Sequence, residues 1–471
     1  MNSATRFLSV VTASTLLLCC SLLVESRAGE WVDPQRATLD MLKAQAQQSD
    51  LSYNIIESLT TEVGARLVGT PASDKSVDWA VAKMKALGFD KVWVEESTAS
   101  LWQRGTMKAK IVSPYPHEVV AISLGGSVGT GGEDLEAEIV HFANLEDLKA
   151  APLGSLTGKI AFISYQMTKA IDGSGYGPAV GARVTGAVEA AKKGALAFIM
   201  RSVGTDNNRI GHTGVMRYKE DINKIPALAL SNPDADLLVN MLKRDKPVRF
   251  SLNSTDSGPT GKDVRIANVI GDVLGSETPQ ELVTLGAHLD SWDVGTGAVD
   301  DGIGVGITLA VGHMISKMEK RPKRTVRVIL FAAEEVGLIG ANDYVAKHKD
   351  NMHNHVIGAE WDFGIGQIYK LESGVGPKAL NAVRDFANYL TPMGIALAST
   401  NTAKGQSDMS LLGNAGQPAM NFSPDGSDYF DVHHSHNDTL DKVDPKALKN
   451  NTAVYALYAY FTAESGVDFR Q

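Results

Sequence analysis

Three kinds of hydrophobic pattern divide the chain. In residues 39–61, "LDMLKAQAQQSDLSYNIIESLTT", and 72–89, "ASDKSVDWAVAKMKALGF", apolar positions recur every three or four residues, which predicts helices, the second stopped at Gly88. "DKVWVEE", residues 90–96, then alternates as a strand does. Between about Pro116 and Ser254 the pattern breaks into short apolar runs bounded by Gly, Pro and Asp, among them "GKIAFISY", "GALAFIM" and "KIPALALS", with one helical stretch, "GARVTGAVEAAKKG". From Val264 it becomes regular. Strands are predicted at "LVTLGAHL", "RTVRVILFAA", "HVIGAEW" and "QPAMNFS", interleaved with helical stretches such as "GIGVGITLAVGHMISKME". Such alternation predicts an α/β fold on a doubly wound, mixed but mostly parallel sheet, carrying the middle segment as an inserted β-rich domain. The division expected is 1–28, 29–115, 116–254 and 255–471.

Residues 1–28 stand apart. One early base at Arg6, an apolar run to Val24 and small residues before a cut after Ala28 predict a secretory signal peptide, with a retained membrane anchor as the alternative. No later stretch reads as long and apolar enough to span a bilayer, so the processed chain is expected to be secreted or periplasmic. Cys19 and Cys20 both lie in this leader; the rest of the chain is cysteine-free, which excludes disulfides and thiolate metal sites there. Taking Arg6, Arg27 and Glu25 off the totals of 45 basic and 54 acidic residues leaves 43 against 53. No basic cluster suggests a nucleic-acid partner.

Charge becomes informative at the strand ends. In open α/β sheets ligands bind outside the carboxyl ends of the strands. "LVTLGAHL" runs into His288 and Asp290, "RTVRVILFAA" into Glu334 and Glu335, "HVIGAEW" into Asp362, and "QPAMNFS" into a loop holding "HHSHND". Any one of these acids is ordinarily a helix cap or a solvated loop charge. Four strand ends carrying the same chemistry imply crowded carboxylates, and a dication is the simplest compensation. Histidine and carboxylate without cysteine suit zinc, and several carboxylates can hold two metals. Asp300, where a loop meets a helix start, is placed to bridge such a pair, while Asp301 is expected to cap that helix. Alternation along "HLD" puts Asp290 on the side of His288, able to orient its ring. Asp293 reads as a loop charge. Of Glu334 and Glu335, which point different ways, one can coordinate metal and the other face substrate. His117, His141 and His212 have no carboxylate at ligand spacing and read as structural or exposed.

The motifs "HLDSW", "GAVDDGIG", "FAAEEVGLIGA", "EWDFG" and "HHSHNDT", in that order, resemble the dinuclear zinc exopeptidases of the aminopeptidase and glutamate carboxypeptidase superfamily. Nearly the whole chain takes part, since residues 64–89 look like the N-terminal segment of that family and 116–254 like a protease-associated insert. The resemblance implies two zinc ions, one held by His288 and Asp362, the other by Glu335 and His434, with Asp300 as the bridge. His433 and His436 compete with His434, which is preferred because it stands four residues before Asp438. The resemblance further implies Glu334 as general base, Asp290 as the orienting acid, hydrolysis of dipeptides or short peptides through a zinc-bound hydroxide, and a homodimer. Two rivals stand beside this reading: an aminopeptidase for longer peptides, and a non-catalytic binding or receptor protein with a vestigial metal site.

Overall fold

The computed structural model describes residues 29–471; the expected leader lies outside them. Three helices open the fold, α1 (Arg36–Gln48), α2 (Leu51–Ser58) and α3 (Pro71–Leu87). Thr70 caps α3 by accepting the Ser73 N–H, and Gly88 ends it at φ 90°, a left-handed position that glycine fills without strain. β1 (Lys91–Ser100) comes next.

The following eight strands build a second sheet. They are β2 (Met107–Ser113), β3 (His117–Val119), β4 (Ala121–Ser123), β5 (Leu135–Phe142), β6 (Lys159–Ile163), β7 (Ala197–Arg201), β8 (Ala227–Leu230) and β9 (Arg249–Ser254), in the spatial order β3-β2-β9-β5-β6-β7-β8-β4. β5 to β8 pair in parallel, and α4 (Leu145–Ala150), α5 (Tyr176–Lys192) and α6 (Asn232–Leu242) fall among these strands in the chain. This sheet starts at Met107, upstream of Pro116, because β2 is recruited by β9, a partner that no local pattern announces.

The chain then returns to the first sheet through β10 (Asp263–Val273), β11 (Thr278–His288), α7 (Ile303–Ser316), β12 (Arg324–Phe331), α8 (Ile339–His348), β13 (His355–Glu360), β14 (Ile368–Gly374), α9 (Leu380–Leu390), β15 (Ala396–Leu397), α10 (Met409–Asn414), β16 (Ala419–Pro424) and α11 (Pro445–Glu464). Its order is β1-β10-β12-β11-β13-β16-β14-β15. The centre, β12-β11-β13-β16, is parallel, so four carboxyl ends open on one side; β1, β10 and β14 pair antiparallel at the margins. The sheet is therefore mixed, with its parallel part where the sequence pattern is most regular.

Both faces are covered. Val283, Leu285 and Ala287 of β11 and Val326, Val328 and Leu330 of β12 join a core with α2, α3, α7 and α11, whereas Ile329 and Phe331 face α8 and α10. α7 is apolar on all sides because it is enclosed by the sheet, α2 and α11. By length and composition Ala298–Ser316 could cross a membrane, contrary to the sequence expectation, but 89% of it is buried inside the protein.

Candidate metal centre

The parallel centre delivers its side chains to one cleft of about 350 Å³, lined by Asp300, Glu334, Glu335, Asp362, Ser407 and His434 among others. His288, the last residue of β11, is fully buried. Its Nε2 lies 3.0 Å from Asp300 Oδ1 and 3.2 Å from Asp362 Oδ1, beyond the end of β13. On the far side, Asp300 Oδ2 is 3.4 Å from His434 Nε2, which is itself 2.9 Å from Glu335 Oε2. The two oxygens of Asp300 thus face two donor sets, one of His288 and Asp362, the other of Glu335 and His434.

The connections that place these donors have unusual backbones. Ala333, just before the glutamates, sits at φ 58° and His434 at φ 57°, left-handed conformations that cost a non-glycine residue about 1–2 kcal/mol each. Asp290 holds the glutamate turn: its carboxylate accepts from the backbone N–H groups of Glu334 (3.1 Å) and Glu335 (3.3 Å). Toward His288 it offers its backbone carbonyl, 3.0 Å from Nδ1, while its carboxylate stands 3.7 Å off. Orientation of the ring is therefore shared with the main chain, and the carboxylate positions Glu334 and Glu335 as well. Asp301 accepts from the Gly304 N–H (3.0 Å) at the start of α7 and also from the His288 N–H (3.1 Å), fastening that helix to β11.

Arg66 and Asp438 anchor the Asp300 loop. Arg66, fully buried, donates to the carbonyls of Thr296 (2.8 Å), Gly297 (2.9 Å) and Leu289. Asp438 accepts from the Val299 (2.7 Å) and Asp300 (3.3 Å) N–H groups, and burial pushes its carboxyl up to about 7. Asp293 is not a free loop charge: Arg104 binds it at 2.8 Å. Of the histidines set aside, His117 and His141 are exposed, and His212 is buried with Nδ1 on the His433 carbonyl (2.7 Å) and Nε2 on Asp206 (3.1 Å). Among the three competitors, His436 is exposed; His433 stacks on His434 at 3.5 Å but stays 3.8 Å from Asp300.

These donors fit dications. Among the described residues, Asp300 Oδ2 and both oxygens of Glu335 are buried without a hydrogen-bond donor, although an anion taken from water needs compensation. Three overlapping sets, His288–Asp300–Glu335, His288–Asp301–Asp362 and Asp300–His433–His434, each bring candidate atoms within 4.8 Å of one another. Burial and then the charge of Asp300 hold the Glu335 carboxyl well above its usual range; burial and then the neighbouring His433 hold His434 well below, in the neutral form a metal requires. Glu334 differs from Glu335 in having a protein partner, the Ser407 hydroxyl, and burial followed by the Asp362 charge pushes it up to about 8.

Ser407 has no signature in the sequence, and neither do the buried acids behind the centre. Glu360 accepts the Met409 N–H (2.9 Å), Asp408 has no hydrogen-bond partner on either oxygen among the described residues, and burial holds both well above the usual carboxylate range. The second sheet sends Tyr176 and Arg183 of α5 and the nearby Val215 into the cleft wall. That contribution comes through tertiary approach alone.

Residues 268–459 match the family model described as Peptidase family M28. Carboxypeptidase Q of Mus musculus is 31% identical over 94% of this chain and 91% of its own length. The crystal structure of a peptidase M28 precursor from Shewanella amazonensis SB2B superposes with a TM-score of 0.90 at 47% identity, covering 93% of this chain and 99% of that one. BSAP, a zinc aminopeptidase from Bacillus subtilis, shares the fold at 20% identity, with a TM-score of 0.62 over 88% of this chain and 95% of its own.

Proposed function

Because the chain belongs to peptidase family M28, we propose that it is a metallo-exopeptidase that hydrolyses dipeptides or short peptides at a centre for two zinc ions, with Glu334 as general base. The observation that carries this reading is the two-sided placement of Asp300, 3.0 Å from His288 through one oxygen and 3.4 Å from His434 through the other. His288 and Asp362 would hold one ion, Glu335 and His434 the other, and Asp300 would join them. A zinc pair supplies Lewis acidity to a scissile carbonyl and acidity to water.

The chain's own groups supply the rest. Glu334 Oε1, held by the Ser407 hydroxyl, takes the proton of the attacking water and hands it to the leaving amine. Burial and then the Asp362 charge raise this carboxyl to about 8, against the opposing pull of His288 and the Ser407 hydrogen bond, which suits it to act as a base near neutral pH. Phe363, Tyr429 and Phe430 line the cleft and limit water. At about 350 Å³ the cleft is at the small end of ligand sites, which favours dipeptides over long chains. The leader pattern of residues 1–28 and the cysteine-free remainder support export from the cytoplasm.

Zinc content and hydrolysis of a dipeptide panel, with and without chelator, test the proposal together. Two zinc ions per chain and chelator-sensitive release of free amino acids are expected. Fewer than one zinc after reconstitution, or cleavage of amino-acetylated dipeptides as fast as free ones, would refute it.

A further inference from the structure

His212 belongs to the second sheet, on the loop between β7 and β8, and its imidazole is held at both ends. The side chain is buried, with Nδ1 2.7 Å from the His433 carbonyl and Nε2 3.1 Å from Asp206 Oδ2. Among the described residues no other donor reaches that carbonyl. Asp206 is buried as well, and Asn232 at the start of α6 holds it: the amide nitrogen lies 3.3 Å from Asp206 Oδ1, 3.1 Å from the Asp206 carbonyl and 3.2 Å from the Gly204 carbonyl. The Ser202 hydroxyl accepts the His212 N–H at 2.9 Å. A Cβ at Gly204 would stand 2.5 Å from Nε2, so the chain passes over the ring there only because the residue is glycine.

Burying an acid and an imidazole together is costly, and a hydrophobic pair of the same volume often serves stability as well. The arrangement has the form of a carboxylate–histidine–metal relay, in which an acid fixes an imidazole whose other nitrogen serves the centre. Here that nitrogen serves the main chain just before a proposed ligand. His434 needs such support, since its backbone is left-handed at φ 57°, a conformation unfavourable for a residue with a Cβ. Its carbonyl accepts the Thr213 N–H at 2.9 Å, and its Nδ1 faces the Thr213 carbonyl at 3.3 Å. Two consecutive residues of the second sheet, 212 and 213, thus grip the carbonyls of two consecutive residues of the metal loop, 433 and 434. A histidine that binds metal through Nε2 carries its hydrogen on Nδ1, so the Thr213 carbonyl, rather than Arg183 Nη1 at 3.3 Å, is the partner compatible with an ion. Thr205 extends the grip, donating its N–H to the Phe430 carbonyl (3.1 Å) and its hydroxyl to Asp431 (2.6 Å).

Taking the two-metal reading as premise, we propose that the Asp206–His212 pair is a positioning element for the zinc held by Glu335 and His434: by holding the His433 carbonyl it fixes the turn that aims His434 Nε2 at Asp300 and Glu335. The second sheet on this account completes one of the two metal sites, and its contribution runs through a side chain that never touches the ion.

The test measures zinc affinity by competition with a chromogenic chelator on wild type and on two substitutions of His212. The amide nitrogen of asparagine takes the place of Nδ1 and that of glutamine the place of Nε2, so His212→Asn keeps the donor to the His433 carbonyl and His212→Gln keeps the partner of Asp206. Wild type is expected to bind two zinc ions. His212→Gln should weaken one of them by about 10–100-fold, the loss typical when an outer partner of a metal ligand is removed, and leave the other unchanged, whereas His212→Asn should hold both as wild type does. Each variant leaves a buried group unpaired, so the melting temperature of both metal-free variants should fall, and the difference in zinc is what a packing role alone would not produce. Asp206→Asn keeps the size of the pair and removes its charge; it should weaken the same zinc by a smaller factor, and it carries the comparison if neither His212 variant folds. Equal zinc affinities in the Gln and Asn variants, or wild-type affinity in Asp206→Asn, would overturn the positioning role while leaving the two-metal reading intact. Fewer than two zinc ions on wild type would refute that reading, and this proposal with it.

Discussion

Replacing Glu334 and Glu335 one at a time by Gln should separate two functions that adjacent, chemically identical residues conceal. Among the described residues Glu335 has no hydrogen-bond donor on either oxygen, and its Oε2 lies 2.9 Å from His434 Nε2. Its carboxylate therefore has only metal to satisfy it, and a neutral amide in that place should cost more than the roughly 10–100-fold in metal affinity lost when an outer hydrogen-bonding partner is removed. Glu334 is held by Ser407, and an amide there keeps size and hydrogen bonding while losing the basic oxygen. General-base catalysis contributes typically about 10²–10⁴-fold, which at 1.36 kcal/mol per decade is about 2.7–5.4 kcal/mol of barrier. Glu334→Gln should thus contain the wild-type amount of zinc and lose about 10²–10⁴-fold in kcat. Glu335→Gln should lose zinc from one position and regain part of its activity when zinc is supplied in excess. Atomic emission on the purified variants and dipeptide turnover across a zinc titration give both readouts. Recovery of Glu334→Gln by zinc, or an inactive Glu335→Gln that keeps all its zinc, would show that the roles are the reverse.

Three further outcomes rest on the same geometry. Asp438→Ala removes the acceptor of the Val299 and Asp300 N–H groups, and each buried group left unpaired costs about 1–3 kcal/mol; thermal unfolding should come earlier and zinc affinity fall, whereas His436→Ala, on an exposed side chain, should change neither. In metal-free protein burial raises Asp438 to about 7 and Glu334 to about 8 from ordinary values of 3.8 and 4.5, so the folded state holds protons the unfolded chain has released. The stability these protonated acids contribute is complete below about pH 4 and is lost as pH rises through 7 and 8; the melting temperature of the metal-free protein should fall from pH 5 to pH 9 while zinc-saturated protein resists the change, and parallel curves would refute the account. Ser407→Ala should leave zinc content intact and lower kcat, since it frees the Glu334 carboxyl from its only side-chain hydrogen bond among the described residues; an unchanged kcat would remove Ser407 from the site.

Local periodicity carried the first sheet well and the second only partly. β11, β12, β13 and β16 are buried in a parallel centre, so their sequences are nearly continuous apolar runs that end in the functional side chains, and they are visible without a partner. β2, with Lys108 and Lys110 on its exposed side, and β14, half polar, exist because β9 and β16 pair with them. The start of the second sheet at Met107 was hidden for that reason.

Residue chemistry and order were enough to name His288, Asp300, Glu334, Glu335 and Asp362 as candidate donors, because donor type, strand-end position and the absence of cysteine beyond the leader are properties of the chain itself, whereas the preference for His434 over His433 and His436 came from the family resemblance. Which atoms meet was decided by the fold. His434, at a left-handed backbone position, is buried at Asp300 and Glu335 while His436 is exposed, Asp290 grips the main chain of the two glutamates, and Ser407 reaches Glu334 from a loop 73 residues away. Arg183 comes from the second sheet, 251 residues before the histidine it touches. No spacing encodes such contacts. A side chain's charge and size are local, but its partners are fixed by the packing of segments that the sequence keeps far apart, and only their closure into one cleft turns a series of acids and histidines into a site.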